Sequence, residues 1–441
     1  MRPDSFDRWS RFDQNRDFLW GAATSAHQVE GNCTNNNWFA FESAVDRRGA
    51  PRILNGQRAG RACDQWNRYR EDIALMNSLS LNAYRFSVEW SKIEPEEGRI
   101  DEHALAHYSD IVDELLLHGI CPVVTLHHFT TPLWFERKGG FLAEESPEIF
   151  ERFVRVVVRH LQRVRHWCTI NEPTVYAING YYTGEFPPGR SSPGEALKVL
   201  RQMLLAHARA YRAIKELRGD TQVGPALSIF PFEPFLPWSP LDVFSSRLAD
   251  RLFHREILEF LTTGSSKVLS LLTDRRTPLE GSGPTADFIG LNYYTRFHLR
   301  VRPWKVPAIQ GVATVPPEEL TDMGWEIYPE GLRAALRLIG HTTDKPILIT
   351  ENGIADAHDM KRDRFIADHL RVLASEVARG ANVRGYFYWS LLDNFEWAHG
   401  YTKRFGLFHV DFNTQQRTLR AGSRTFAEVV ARSTGRWKPS D

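Results

Sequence analysis

Short apolar runs recur along the chain, most of them continuous through their middles, as in strands buried on both faces. Eight stand out: residues 18–24, 83–90, 121–129, 167–172, 222–229, 288–294, 347–351 and 385–390. Between them lie stretches with helical periodicity. Residues 101–118 open on acids, carry the apolar set Leu105, Ile111, Val112, Leu115 and Leu116, and stop before Gly119. Residues 148–164, 195–217 and 365–378 follow the same pattern, with Pro193 ahead of one helix and Gly219 and Gly380 as stops. No low-complexity tract, long charge run or Gly/Ser linker divides the chain. The alternation predicts an α/β fold, a (β/α)8 TIM barrel forming one domain over residues 1–441. Two long connections, residues 230–240 and 297–329, are the candidate pocket walls.

Composition narrows the function classes. The chain has 441 residues, with 55 Lys plus Arg against 54 Asp plus Glu, a net charge of +1. That balance gives no footing for nucleic acid or an anionic membrane as partner. No apolar run approaches the roughly 18–20 residues of a membrane-spanning helix, and residues 1–14 mix Arg, Asp, Trp and Phe with no apolar leader segment. Cys33, Cys63, Cys121 and Cys168 are scattered without a CxxC pair, which argues against zinc and disulfides and for a reduced, cytoplasmic setting. Aromatic residues reach 12%. A large core accounts for many, but several sit beside acids at strand ends, where flat apolar faces flanked by hydrogen-bonding groups suit sugar rings.

In a barrel of this kind, chemistry belongs at the C-terminal ends of the strands. Strand four closes in Thr169-Ile170-Asn171-Glu172-Pro173 and strand seven in Ile349-Thr350-Glu351-Asn352-Gly353. Either glutamate alone reads more readily as a rim residue in a surface ion pair. Two of them, on roughly opposite sides of the mouth, suit glycosidic bond cleavage, in which one carboxyl is protonated and the other ionised. Inward-leaning side chains there can approach within about 5–5.5 Å, the separation that selects retention.

Residues 18–31, Phe-Leu-Trp-Gly-Ala-Ala-Thr-Ser-Ala-His-Gln-Val-Glu-Gly, resemble the N-terminal signature of glycoside hydrolase family 1, the β-glucosidase family. The two glutamate segments resemble its acid/base and nucleophile motifs. Residues 84–87 (Tyr-Arg-Phe-Ser), 290–294 (Gly-Leu-Asn-Tyr-Tyr) and 389–397 (Trp-Ser-Leu-Leu-Asp-Asn-Phe-Glu-Trp) match further blocks, in order from residue 18 to beyond 405. The resemblance implies Glu172 as general acid/base, Glu351 as nucleophile and Asn171 as partner of the sugar 2-hydroxyl. It implies that Tyr294 donates to Glu351 and that Arg85 lies close to the same carboxylate, although Arg85 also reads as a structural ion pair near the barrel floor. Gln28, His128, Asn292 and Glu396 would bind hydroxyls, Trp397 would add a ring N–H, and Trp389 would form the stacking floor. Phe405 joins the substrate-binding set, and Trp325 resembles the aglycone-side tryptophan, with a core position as its other reading. His127, next to His128, points to the opposite face of its strand, so one metal cannot take both. No metal or cofactor is implied; the partner is a small β-glycoside.

His27 stands where the family usually has Tyr, Phe129 where Trp is common and Thr130 where Asp is frequent. These departures bear on sugar and aglycone preference. The 6-phospho-β-glycosidase branch holds phosphate with Ser, Lys and Tyr, where this chain has Glu396, Lys403 and Phe405. A carboxylate at 396 repels a phosphate dianion. Thioglucosidases replace the acid/base with Gln, which Glu172 excludes. A non-catalytic sugar-binding barrel would have lost a glutamate, and an aldolase-like barrel would show Lys or metal ligands at strand ends. The reading is therefore a β-glycosidase acting on nonreducing-terminal β-glucosides, with β-galactosides and β-fucosides as secondary substrates.

Overall fold

The computed structural model describes residues 17–46, 48–266, 279–280, 283–302, 309–312 and 315–435. Eight parallel strands close into a barrel: β1 Leu19–Ala23, β2 Ala83–Ser87, β3 Cys121–His127, β4 His166–Asn171, β5 Gln222–Ser228, β6 Ile289–Asn292, β7 Ile347–Asn352 and β8 Val383–Trp389. Neighbours pair in sequence order, and β8 closes the ring on β1 with Ala23 opposite Trp389. Each strand coincides with one of the predicted apolar runs. Strands two and three stop short of the prediction, because Glu89 caps a short helix at Trp90–Ile93 and Phe129 turns the chain at φ 67°.

The helices outside the ring are α1 Gln65–Ser78, α2 Glu102–Leu117, α3 Ser146–His160, α4 Pro193–Leu217, α5 Pro240–Asp250, α6 Pro329–Thr342, α7 Arg362–Ala378 and α8 Arg424–Ser433. Their starts follow capping chemistry. Asp101 accepts from the backbone N–H of His103 and Ala104 ahead of α2, and Ser192 accepts from Glu195 ahead of α4, with Pro193 in its first turn. Helix α3 begins two residues before the predicted start because Pro147 also fits a first turn. Helix α5 continues through a π-helical turn, Arg251–Arg255, into Glu256–Thr263.

The two long connections fold against each other. Phe232–Pro234 from the first pairs in parallel with Phe297–Val301 from the second, which also pairs with Ile309–Val312. Residues 303–308 and 313–314 of the second connection lie outside the described set. Among the described residues, no helix is long and apolar enough to cross a membrane.

Side-chain alternation sorts each strand into two cores. Along β2, Tyr84 and Phe86 pack outward against helices, while Ala83 and Arg85 face the barrel axis, where Ala23, Val123, Cys168 and Phe387 fill the interior. Strands β4 and β7 break the alternation just before their glutamates. The β4–β5 register shifts between Cys168 and Asn171, and the β7–β6 register between Ile349 and Glu351. In β4, Thr169 and Ile170 both turn outward, Thr169 bonding His207 of α4, and Asn171 is thereby brought to the barrel axis. A bulge re-aims a side chain in this way, and bulges concentrate beside active sites.

Candidate active site

A cleft of about 560 Å³ opens at the C-terminal ends of the strands. Glu172, the residue after β4, occupies the left-handed region at φ 43°, immediately before the helix that starts at Pro173. A non-glycine residue there carries local strain that its surroundings hold in place, as at many functional sites. Glu351 comes from β7. Both carboxylates line the cleft and both are buried.

Their surroundings differ. Arg85 donates from Nη1 to Glu351 Oε1 at 2.5 Å, and Tyr294 donates its hydroxyl to Oε2 at 2.7 Å. Among the described residues Glu172 has no cation in contact; its Oε1 accepts from Asn292 Nδ2 at 3.0 Å. Burial, reinforced by the negative charge of Glu351, pushes the Glu172 carboxyl up to about 8. Burial also raises Glu351 above its ordinary value, but Arg85 and the hydrogen bonds from Tyr294, Arg85 and Asn292 oppose that rise. The two carboxyls are therefore held unequally, Glu351 by a guanidinium and a hydroxyl that favour its ionised form and Glu172 by one amide donor. Arg85 forms a buried ion pair with Glu351 beneath the cleft and couples strands β2, β4 and β7, since its Nη2 also donates to Asn171 Oδ1 at 2.6 Å.

One amide network orients the rest. Asn292 Nδ2 donates to Asn171 Oδ1 at 3.1 Å, and its own Oδ1 accepts from Thr350. With Asn171 Oδ1 engaged by Arg85 and Asn292, its Nδ2 faces His128 Nε2 at 3.2 Å. His128 Nε2 is then the acceptor, which places the ring hydrogen on Nδ1, the nitrogen without a protein partner. Burial drives the His128 pKa well down, so the ring is neutral. His127 lies on the outer side as predicted, packed against Phe141, Phe150 and Tyr176.

The loop after β8 supplies Glu396, Trp397 and Phe405, all lining the cleft with Trp389. Gln28 Nε2 lies 3.2 Å from Glu396 Oε2 and 2.9 Å from the Phe395 carbonyl, while Ser25 donates to Gln28 Oε1. Burial, with the charges of Glu351 and Glu172 adding to it, pushes Glu396 up to about 8 against the hydrogen bond from Gln28. Trp325 lines the entrance and packs against Tyr294 at 5.4 Å and Phe405 at 6.3 Å. Of the predicted residues, Gln28, Arg85 and Asn292 stand just behind the lining and act on those that form it.

Of the three departures, Phe129 lines the cleft, while His27 and Thr130 lie behind its wall. His27 stacks on Trp397, with planes 5° apart; His128 stacks on Trp397 from 6.1 Å and on Trp389 from 5.6 Å. Four rings thus form a column along the sugar side of the cleft. Asn36 caps a helix through its Oδ1, which turns its Nδ2 toward His27 Nδ1 and leaves His27 Nε2 to donate to Glu42. Phe129 packs against Trp397, and Thr130 donates to Glu89. His27, Cys33 and Glu89 bring ligand atoms within 4.8 Å of one another. They are poor metal donors as held: both His27 nitrogens and both Glu89 oxygens have protein partners, and burial keeps the Cys33 thiol protonated.

Sequence reasoning missed Val175, Asn179, Glu185 and Phe186 on one wall, and Phe297, Met323 and His399 on others. The pair Pro187-Pro188 after Phe186 signalled a rigid loop there, and nothing marked its content.

The model of the family described as "Glycosyl hydrolase family 1" matches residues 11–434. Beta-glucosidase A of Acetivibrio thermocellus is 33% identical over 94% of this chain and 97% of its own length. The solved beta-glycosidase from Pyrococcus horikoshii superposes with a TM-score of 0.85 at 40% identity, covering 95% of this chain and 94% of that one. The beta-glucosidase from Thermotoga maritima in complex with glucoimidazole gives 0.87 at 32% identity, covering 95% and 98%.

Proposed function

The chain belongs to glycosyl hydrolase family 1 and is a retaining β-glycosidase, and from that premise we propose that Glu351 is its nucleophile and Glu172 its acid/base. The observation that carries the assignment is the contrast between the two carboxylates: one held by Arg85 and Tyr294, the other uncharged in a buried site and raised to about 8.

Glu351 attacks the anomeric carbon while Glu172 gives its proton to the departing aglycone oxygen, and a glycosyl ester forms on Glu351. Glu172, now a carboxylate, takes a proton from water, which attacks the same carbon and releases the sugar with its β configuration restored. Proton and charge balance within the pair. Asn171 is placed beside Glu172 to donate to the 2-hydroxyl, a contact that strengthens as the ring flattens. His128 Nδ1–H and Glu396 bind the remaining hydroxyls, with Gln28 holding Glu396 from behind and Trp389 beneath the ring.

The glycone is a neutral sugar, a β-glucoside first, with β-galactosides and β-fucosides following. Glu396, buried and raised to about 8, supplies no positive charge to a 6-phosphate, and Phe405 offers it no hydrogen bond. Lys403 is tied to the Asp322 carbonyl. Trp325 and Met323 face the aglycone at the entrance. We place the enzyme in the cytoplasm, a reading supported by four unpaired cysteines. Release of nitrophenol from an aryl β-glucoside, with no turnover of the 6-phosphoglucoside, is the expected result. Preference for the phosphorylated substrate would overturn the glycone assignment.

A further inference from the structure

Strand β7 holds one residue more than its neighbour at the point where it delivers Glu351. Ile349 pairs with Leu291 and Glu351 with Asn292 on β6, so Thr350 is the residue the bulge inserts. It is fully buried and held at both ends. Its carbonyl accepts from Arg85 Nη1 at 3.3 Å, and its hydroxyl donates to Asn292 Oδ1 at 2.6 Å. The bulge thus sets one hydroxyl between the cation that supports Glu351 and the amide that touches Glu172.

The polarity of the bonds around Asn292 has a fixed origin. A guanidinium only donates, so Arg85 Nη2 makes Asn171 Oδ1 an acceptor. Asn292, 3.1 Å from the same oxygen, must face it with Nδ2, which turns Asn292 Oδ1 toward Thr350. An amide oxygen cannot donate, so Thr350 supplies the hydrogen. Among the described residues it is the one donor to that oxygen.

The same Nδ2 reaches Glu172 Oε1 at 3.0 Å. An oxygen that accepts there is poorly placed to carry the acid proton, which is left to Oε2. Ser228, opposite Asn292 on β5, also lies against the carboxyl, but a hydroxyl donates or accepts and does not choose between the two oxygens. Were the amide reversed, Asn292 Oδ1 would accept the Glu172 proton and hold it back from the substrate.

We propose that Thr350 is a positioning residue for the acid step: by fixing the Asn292 amide it keeps the Glu172 proton on Oε2, the oxygen free to meet the departing aglycone. The inference rests on the acid/base assignment above and names a group that acts through it. In the step itself the proton passes from Oε2 to the glycosidic oxygen as the C–O bond breaks. The electron pair of that bond stays on the aglycone, and the glycosyl ester forms on Glu351. Without the hydroxyl, Asn292 Oδ1 is a buried acceptor with no donor, and the acid proton is the hydrogen it then recruits.

The test compares two substrates in Thr350→Val, which keeps the side-chain shape and removes the hydroxyl. Phenyl β-glucoside needs the acid proton; dinitrophenyl β-glucoside, with its good leaving group, does not. We expect the dinitrophenyl-to-phenyl ratio of kcat/KM to rise by about ten- to a hundredfold. Thr350→Ser, which restores a hydroxyl, should return the ratio to within about threefold of wild type. A packing role alone lowers both substrates alike, so an unchanged ratio in Thr350→Val overturns the proposal, as does a ratio that Thr350→Ser leaves raised. Should Thr350→Val not fold, Thr350→Ala carries the same expectation. Glu172→Gln checks the underlying reading and should raise the ratio further still. If it leaves the ratio unchanged, the acid assignment falls, and this inference with it.

Discussion

Tyr294 donates its hydroxyl to Glu351 on Oε2, the carboxylate oxygen that Arg85 leaves free. The two donors hold the carboxylate plane between β2 and β6 and favour its ionised form. Tyr294→Phe removes a hydrogen bond to a charged group, worth about 1.5–3 kcal/mol. We expect kcat/KM to fall by about ten- to a hundredfold. We also expect the acidic limb of its pH profile to move to higher pH, because the lost bond had lowered the Glu351 pKa. A drop in rate with an unmoved acidic limb would show that Tyr294 positions sugar instead.

Activity should follow a bell in pH. It rises as Glu351 loses its proton, on a limb above the ordinary carboxylate range, and falls as Glu172 deprotonates near about 8. Glu396 titrates in the same region, so two variants are needed. On a phenyl glucoside, whose leaving group still needs a proton, Glu172→Gln should leave a low residual rate without the basic limb while Glu396→Gln retains it. A basic limb that survives in Glu172→Gln would assign the proton to another group.

Azide reports which face each carboxylate guards. Glu351→Ala should lose turnover and regain part of it with azide, giving an α-glycosyl azide by direct attack on the face the nucleophile had covered. Glu172→Ala with azide should give the β-azide through an intact glycosyl ester. A β-product from the Glu351 variant, read by proton NMR, would exchange the two assignments.

Gly353 follows the nucleophile strand at the point where it passes β8. A Cβ on this residue would overlap the Trp389 carbonyl oxygen. Gly353→Ala should push the Trp389 backbone away from the cleft floor, raising KM for glucosides several-fold and lowering Tm. An unchanged KM with reduced Tm would separate packing from substrate contact.

Arg417, near the C-terminal end of the described chain, donates to Asp72 of α1 at 2.9 Å, and both side chains are 1% exposed. Arg417→Leu strands the Asp72 carboxylate in the interior, a loss of about 3–5 kcal/mol by denaturant unfolding. The double variant with Asp72→Leu should recover much of that loss; an additive result would show that the two charges do not depend on each other.

The eight strands could be read from the sequence because a strand buried on both faces has to be apolar throughout, and Glu172 and Glu351 stood out against that background. The bulges in β4 and β7 left no such trace. Thr169 and Ile170 suit either side of a sheet, so only their register with the neighbouring strand shows that both turn outward. Residues 230–240 read as loop because of Pro231, Pro234, Pro237 and Pro240, yet Phe232–Pro234 is a strand on the edge of a small sheet, where a missing N–H costs little. The ring column from His27 to Trp389 was hidden for another reason: it depends on Trp397 taking a positive φ of 48°, which no residue pattern around it signals.

Ring closure has a kinetic meaning. Ser390 Oγ donates to the Ala23 carbonyl across 367 positions of sequence, so the cleft floor exists only after the first and last barrel strands have met. A ribosome-bound chain still lacking β8 can carry both glutamates in folded segments and remain silent toward a fluorogenic glucoside. Onset of signal during synthesis would therefore time the final docking event, making the enzyme its own clock for completion of the fold.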